Sequence, residues 1–334
     1  MTLPDTMRAA IAHRLDGSPD AVTVDTVEVP TPGPGEVLVR MRAAPLNPND
    51  LLFLTDRYMI RREAPTVVGF EGVGDVVACG GGALSWALQG RRVALTASEH
   101  SGTWAEYAIA PALRCLPLLP RLSDAQGATM LTNPFSAWVM VDHARAQHRA
   151  MVQTAASGAL GSAIARLCLE LGFPCLHVVR REAQVQALRE LGAEHVLDSS
   201  TPDFDERFAA LSAELGATLC LDAVAGDTGS RILHLMPPGS TLRIIGTLSG
   251  ADLSIEADDM LFHGKRVEGF TMHEWADQAG LAEQGRVALQ VQRHLGGALA
   301  VPIREEQPLD EVAEALARYR AAMGAGKILL RMHA

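Results

Sequence analysis

The stretch AMVQTAASGALGSAIARLCLELG, residues 150–172, decides the fold. Its first five residues form a short apolar run with the length of a buried strand. Ala155, Ala156, Ser157, Gly158, Ala159, Leu160 and Gly161 follow, in the pattern A-x-x-G-x-x-G. Residues 162–171 then carry apolar side chains at helical spacing, and Gly172 stands where a helix commonly ends in a left-handed residue. Working outward toward the C-terminus, the same alternation continues. Strands are predicted at 176–179, 195–198, 219–223 and 241–246, and helices at 184–191, 204–215 and 229–236. Repeated strand–helix alternation implies a parallel sheet with helices on both faces.

The glycine loop gives this sheet a chemistry. Gly158 lets backbone approach a pyrophosphate, and Gly161 lets the helix pack closely on its strand. The helix N-terminus offers free N–H groups and partial positive charge to an anion. Lying between a strand and a helix within βαβ units, the motif reads as a Rossmann-type dinucleotide site. An Asp or Glu after the second strand would hold the 2′-hydroxyl of NAD. This chain has Arg180 and Arg181 there. A guanidinium fork suits a 2′-phosphate, so NADPH is the expected cofactor.

Outside this core the pattern changes. Runs at 37–41, 72–78 and 92–95 read as strands in a region often punctuated by Gly and Pro. Ser123 and Asp124 start a helical stretch, and a second helix is expected over 136–145. Beyond residue 285 come a helix (286–295), a strand-like segment (300–304), a helix (309–323) and a strand (327–332), which are expected to complete the first domain. With 334 residues the chain has room for two domains, and 48% apolar content supplies both cores. A net charge of −10 without a long basic run, and 4% aromatics, argue against a nucleic-acid partner. No apolar run is long enough for a membrane span, and the N-terminal residues lack the apolar core of a secretory signal. Five scattered cysteines without a C-x-x-C pair fit reduced thiols, and a cytoplasmic location is expected.

Further markers run along nearly the whole chain: residues 45–50 (PLNPND), Tyr58, 69–72 (GFEG), 102–107 (GTWAEY), 132–134 (TNP), 191–196 (LGAEHV) and 326–329 (GKIL). With the glycine loop, they resemble the medium-chain dehydrogenase/reductase superfamily, and most of all its zinc-free branch of quinone oxidoreductases and mitochondrial-type 2-enoyl thioester reductases. The resemblance implies a Rossmann doubly wound parallel sheet (124–269) inserted in a GroES-like, mainly β catalytic domain (1–123 and 270–334). Zinc enzymes of the superfamily carry Cys where Asn47 stands and His where Phe70 stands. Asparagine and phenylalanine supply neither thiolate nor imidazole, so no metal is expected. The enoyl reductase group polarises its substrate with a tyrosine, and Tyr58 keeps that group's spacing to Pro65 and to 69–72. A phenol, protonated at neutral pH, can donate a hydrogen bond or a proton.

By matching position the resemblance also implies cofactor contacts at Asn133, at Ser157, Gly158, Ala159 and Leu160, at Ile245, Gly246, Thr247 and Leu248, at Phe270, Thr271 and Met272, and at Lys327, the last paired with a phosphate. Thr271 departs from the enoyl reductase pattern, which has Trp there. The implied activity is NADPH-dependent reduction of an α,β-unsaturated carbonyl, with a 2-enoyl thioester as one substrate class. NADPH:quinone reduction is an alternative, as is NADPH binding with little catalysis. Arg57, Arg61 and Arg62, near Tyr58, read either as a grip for a coenzyme A phosphate or as a solvated basic turn. Residues 267–270 sit where relatives pair sheet edges, so a homodimer is expected.

Overall fold

A computed structural model describes residues 3–324 and 326–333. The chain divides into two compact units, Met1–Thr132 with Ala300–Ala334, and Asn133–Leu299. These junctions lie later than the 123/124 and 269/270 boundaries expected from sequence. The helix starting at Asp124 packs on strands of the first unit, and the segment after 270 ends in a helix packed within the second.

The first unit opens with β1 (Thr6–Ala12), β2 (Val22–Glu28), β3 (Glu36–Pro45), α1 (Pro48–Leu54), β4 (Thr66–Val67), β5 (Glu71–Cys79), α2 (Ala83–Leu88), β6 (Arg92–Thr96), β7 (Tyr107–Pro111), β8 (Cys115–Pro117) and α3 (Asp124–Ala128). The predicted Ser123 cap is present, its hydroxyl accepting from the Gln126 amide at 3.2 Å. A mixed sheet orders β3, β5, β6 and β8 as antiparallel neighbours, and β7 pairs with β3. Its core packs Val37, Val39, Met41, Phe53, Phe70, Leu95 and Trp104 away from water.

The second unit contains α4 (Asn133–Gln147), β9 (Ala150–Gln153), α5 (Ala159–Leu171), β10 (Cys175–Val179), α6 (Glu182–Glu190), β11 (Val196–Asp198), α7 (Phe204–Leu215), β12 (Ala217–Asp222), α8 (Gly226–Leu235), β13 (Thr241–Ile244), α9 (Ala257–Leu261), β14 (Arg266–Gly269), α10 (Met272–Gln278) and α11 (Leu281–His294). Its six strands are all parallel, in the order β11-β10-β9-β12-β13-β14. Counting from β9, this is the 3-2-1-4-5-6 order of a doubly wound dinucleotide fold. Gly172 ends α5 in left-handed conformation, as its position predicts, and Gly216 ends α7 in the same way. β14 is the outer strand on its side, and the helix before it leaves Leu261 and Phe262 exposed.

The chain then returns to the first unit. β15 (Ile303–Pro308), α12 (Val312–Ala321) and β16 (Lys327–Arg331) extend its sheet, β16 running antiparallel to β3. No described helix is long and apolar enough to cross a membrane.

Candidate functional site

In an open parallel sheet, ligands bind outside the carboxyl ends of the strands. The loops after β9, β10, β13 and β14 all leave the sheet at that edge, and they carry most of the candidate cofactor residues. After β9, α5 begins at Gly158 with no side chain capping its first N–H groups. A Cβ at Gly161 would lie 2.7 Å from the Ala155 carbonyl oxygen and 2.7 Å from the Ala156 Cα, so only glycine fits the contact. Gly158 is exposed and its added Cβ would meet only the Ala155 oxygen, at 3.2 Å. Ser157 and Leu160 are half-buried, and Ala159 is exposed.

After β10, Arg180 and Arg181 are both exposed. Among the described residues no ion pair engages either guanidinium. After β13, Ile245 and Gly246 are half-buried, while Thr247 and Leu248 face solvent. After β14 come Phe270, Thr271 and Met272. The Thr271 hydroxyl caps α10, accepting from the Glu274 amide at 3.1 Å. Asn133, half-buried, is the first residue of α4.

A buried carboxylate missed by sequence reasoning stitches this edge together. Asp222, at the end of β12, is fully buried. It accepts from the Thr154 hydroxyl at 2.6 Å and from the amides of Val224 and Ala225 at 3.0 Å each. The following turn receives the amides of Leu248 and Ser249 on the carbonyls of Ala223 and Val224. Asp222 thus ties the start of the glycine loop to the turn that carries Leu248. An Asp at a strand end is a weak signal alone, because the partner that ties it to the glycine loop, Thr154, lies 68 residues away.

Tyr58 lies in the first unit, in the turn between α1 and β4. It is half-buried with its ring 5.0 Å from that of Phe70. The Asn49 side-chain amide donates to its hydroxyl at a long 3.5 Å. Burial raises the phenol's pKa, and the nearby Asp50 and Glu71 carboxyls push the same way while the Asn49 bond opposes them. The group is therefore a protonated phenol at neutral pH, able to donate.

Of the three arginines near Tyr58, read from sequence as a phosphate grip or a solvated turn, Arg62 fits neither. Arg62 turns inward over the rings of Phe53 and Phe70, and donates to the carbonyls of Val67 (2.9 Å) and Ser98 (3.3 Å). Burial lowers its pKa to about 10. Arg61 is tied to Asp56. Arg57 is exposed, and among the described residues neither it nor Arg62 is in an ion pair; with Arg62 turned inward and Arg61 held by Asp56, the three do not form one open anion grip.

Lys327 turns into the first unit. It is buried at 6% exposure, and its ammonium donates to the Asn47 side-chain oxygen and to the Leu46 carbonyl at 3.4 Å. The Asn47 amide in turn donates to Glu71 at 2.7 Å, and Glu71 accepts from the Thr132 amide at 3.0 Å. The lysine expected on a cofactor phosphate is committed to side-chain and backbone oxygens inside the first unit.

One His–acid group among the described residues has ligand atoms within 4.8 Å of one another: His234, Glu256 and Asp259. Its buried member, Asp259, already pairs with the Lys265 ammonium at 2.8 Å.

Two family models match the chain: an alcohol dehydrogenase GroES-like domain over residues 33–121 and a zinc-binding dehydrogenase over residues 159–284. A solved structure from Mesorhizobium loti, assigned as an NADPH:quinone reductase, is 32% identical with a TM-score of 0.88, covering 99% of this chain and 100% of that one. The chain belongs to the medium-chain dehydrogenase/reductase superfamily. A Bacillus thuringiensis structure with the same assignment is 26% identical with a TM-score of 0.85, covering 99% of this chain and 100% of the other. The mitochondrial enoyl-[acyl-carrier-protein] reductase of Caenorhabditis elegans is 28% identical over 277 residues, which is 80% of this chain and 79% of that protein. The likeness is thus to the quinone oxidoreductase and enoyl reductase-like group, and the protein is an oxidoreductase of that superfamily.

Proposed function

We propose that this protein is an NADPH-dependent, zinc-independent reductase of α,β-unsaturated carbonyl compounds, with Tyr58 as the proton donor. The observation that carries the reading is the Tyr58 phenol: half-buried, kept protonated by its surroundings, and its hydroxyl engaged, among the described residues, only by a long bond from Asn49. The second unit offers a fitting cradle for the cofactor. Gly161 permits the close approach of loop and helix, the first turn of α5 presents uncapped N–H groups, and after β10 come the exposed Arg180 and Arg181, in no ion pair among the described residues. Ser157, Gly158, Ala159 and Leu160 would hold the pyrophosphate, Arg180 and Arg181 the 2′-phosphate, and Asn133, residues 245–248 and residues 270–272 the remainder. When bound, NADPH supplies hydride. The chain supplies position and a proton: Tyr58 donates to the carbonyl oxygen, stabilises the developing enolate and protonates the α-carbon.

Zinc independence rests on the donor set. Asn47 and Phe70 offer no thiolate or imidazole, and Asn47 and Glu71 are already bonded to each other. Quinone reduction is the second reading, favoured by Thr271, whose small side chain caps a helix where the enoyl reductase pattern has a flat indole. A homodimer paired along β14 belongs to the same proposal, supported by that strand's outer position and by exposed Leu261 and Phe262. Light scattering showing only monomer at micromolar concentration would refute it. A cytoplasmic location is supported by five unpaired cysteines.

The test of function follows NADPH consumption against crotonyl-CoA, a long-chain enoyl-CoA, a benzoquinone, phenanthrenequinone and an alkenal, with and without a chelator. Saturable, chelator-insensitive turnover of an enoyl thioester or alkenal is expected. Turnover of quinones alone would move the assignment to the second reading. Silence across the panel with intact NADPH binding would leave a binding protein.

A further inference from the structure

The reaction proposed above leaves a buried charge cluster in the first unit without a role. Asn47, Asp50, Glu71 and Lys327 are each at most 6% exposed, and they come from the start of α1, from β5 and from the start of β16. The hydrogen bonds distinguish the two carboxyls. Glu71 has both oxygens occupied by donors, the Asn47 amide and the Thr132 N–H, and lies near the Lys327 ammonium. Asp50 accepts a single bond, from the Asn47 N–H at 2.7 Å, and its other oxygen is buried without a partner. Burial raises Asp50 to about 8, so it is neutral at pH 7. Burial raises the pKa of Glu71 and lowers that of Lys327, and each opposes the other's shift, so the pair holds its charges jointly.

The Asn47 amide lies between these two charges. Its oxygen faces the ammonium and its NH2 faces the carboxylate, and only this orientation satisfies both, since an ammonium cannot accept and a carboxylate cannot donate. Asn47 also starts α1, whose first turn carries Asn49, the donor to Tyr58. Glu71 holds the amide of Thr132, the residue joined directly to Asn133.

We propose that Lys327 is a positioning residue: its ammonium fixes the Asn47 amide, and through it both the start of α1 beside Tyr58 and the Glu71–Thr132 bond ahead of Asn133, without touching the cofactor. The inference rests on the reading of Tyr58 and Asn133 given above. Without the ammonium the amide is free to turn, Glu71 loses its counter-charge and is driven further toward its neutral form, and the Thr132 N–H is left with a weaker acceptor.

The experiment compares Lys327→Met, Lys327→Arg and Glu71→Gln with the wild-type protein. It reads kcat, KM, NADPH affinity by fluorescence titration, and amide hydrogen exchange of the segment containing Thr132. Lys327→Met is expected to lower kcat by about 10–100-fold, the scale of a roughly 1 Å misplacement, with NADPH affinity within about threefold of wild type. Exchange at Thr132 rises in the same variant, and Lys327→Arg recovers part of kcat. Glu71→Gln, near-isosteric, raises Thr132 exchange and lowers kcat as well, and it carries the test if Lys327→Met does not fold. Loss of NADPH affinity at unchanged kcat would make Lys327 a phosphate ligand and overturn the inference. A folded Lys327→Met or Glu71→Gln with wild-type kcat and wild-type exchange would overturn it too. If the wild-type protein reduces no acceptor, the reaction proposed above fails, while Thr132 exchange and NADPH affinity still decide the role of Lys327.

Discussion

Replacing Gly161 with alanine separates the fold's demand on the glycine loop from the cofactor's. The new methyl would lie 2.7 Å from each of three backbone atoms of Ala155 and Ala156. Carbon contacts prefer about 3.5 Å or more, so loop and helix must part by roughly 0.8 Å. No flexible side chain can absorb that shift. Overpacking of this kind costs about 1–3 kcal/mol, and removing glycine's unfolded-state freedom returns only about 0.4–1 kcal/mol. For a domain of this size each kcal/mol moves Tm by about 2–4 °C, so a fall of several degrees is expected. The same shift moves the α5 N–H groups away from the pyrophosphate. Losing one charge-assisted hydrogen bond, about 1.5–3 kcal/mol, weakens NADPH binding by roughly ten- to a hundredfold. Gly158→Ala is the control. Its methyl meets only one oxygen, at 3.2 Å, and its φ of −70° suits any residue. That variant should melt within about a degree of wild type, as surface changes away from special features do, yet bind NADPH more weakly because the methyl stands in the anion's approach. Thermal melts and fluorescence titration of both variants provide the assay. An unchanged Tm and NADPH affinity for Gly161→Ala would refute the reasoning, as would equal destabilisation by the two substitutions.

Two further predictions concern charge. The double substitution Arg180→Ala, Arg181→Ala should weaken NADPH by roughly ten- to a hundredfold, the value of one or two charge-assisted bonds, and leave NADH within a few-fold. Equal losses for both cofactors would mean that neither arginine reads the 2′-phosphate. Asp50 predicts a pH effect on stability. Its folded pKa of about 8 lies above the unfolded carboxyl value, so the native state keeps a proton that the unfolded chain releases. The stability it contributes is fully present below about pH 4 and is lost as pH rises toward 8, by up to about 1.4 kcal/mol per unit. Denaturation of Asp50→Asn between pH 5 and 8 should therefore show a flatter profile than wild type, and an identical slope would place the ionised form of Asp50 in the native state.

Much of the second unit was legible because its signals are local. Residues 204–215 have the same bounds in the sequence reading and in α7, because apolar spacing and Gly216 mark the helix without tertiary help. The glycine loop was legible for a related reason: Gly161 is required by backbone atoms five and six residues away. The first unit was harder. α1 was not anticipated, although Asn47, Pro48 and Asp50 stand at cap, first-turn and capping-box positions, a start signal for a helix only seven residues long. The ion cluster was not legible at all. Asn47 and Lys327 are 280 residues apart, and only the pairing of β16 with β3 brings them together. Lys327 precedes the apolar run Ile328, Leu329 and Leu330, and a lysine entering a buried strand is the one local hint that its ammonium turns inward. Arg62 misled in the same way, since proximity in sequence to Tyr58 says nothing about which side of Phe70 its guanidinium takes.

The proposed catalysis turns on the phenol of Tyr58, and the direct test is Tyr58→Phe assayed at saturating NADPH with the best conjugated acceptor. Removing one hydroxyl leaves the ring against Phe70 and leaves the second unit untouched, so stability and NADPH affinity should hold. If Tyr58 is the proton donor, kcat falls by about 10²–10⁴-fold, the usual contribution of a general acid. An unchanged kcat with the same acceptor would contradict the central claim.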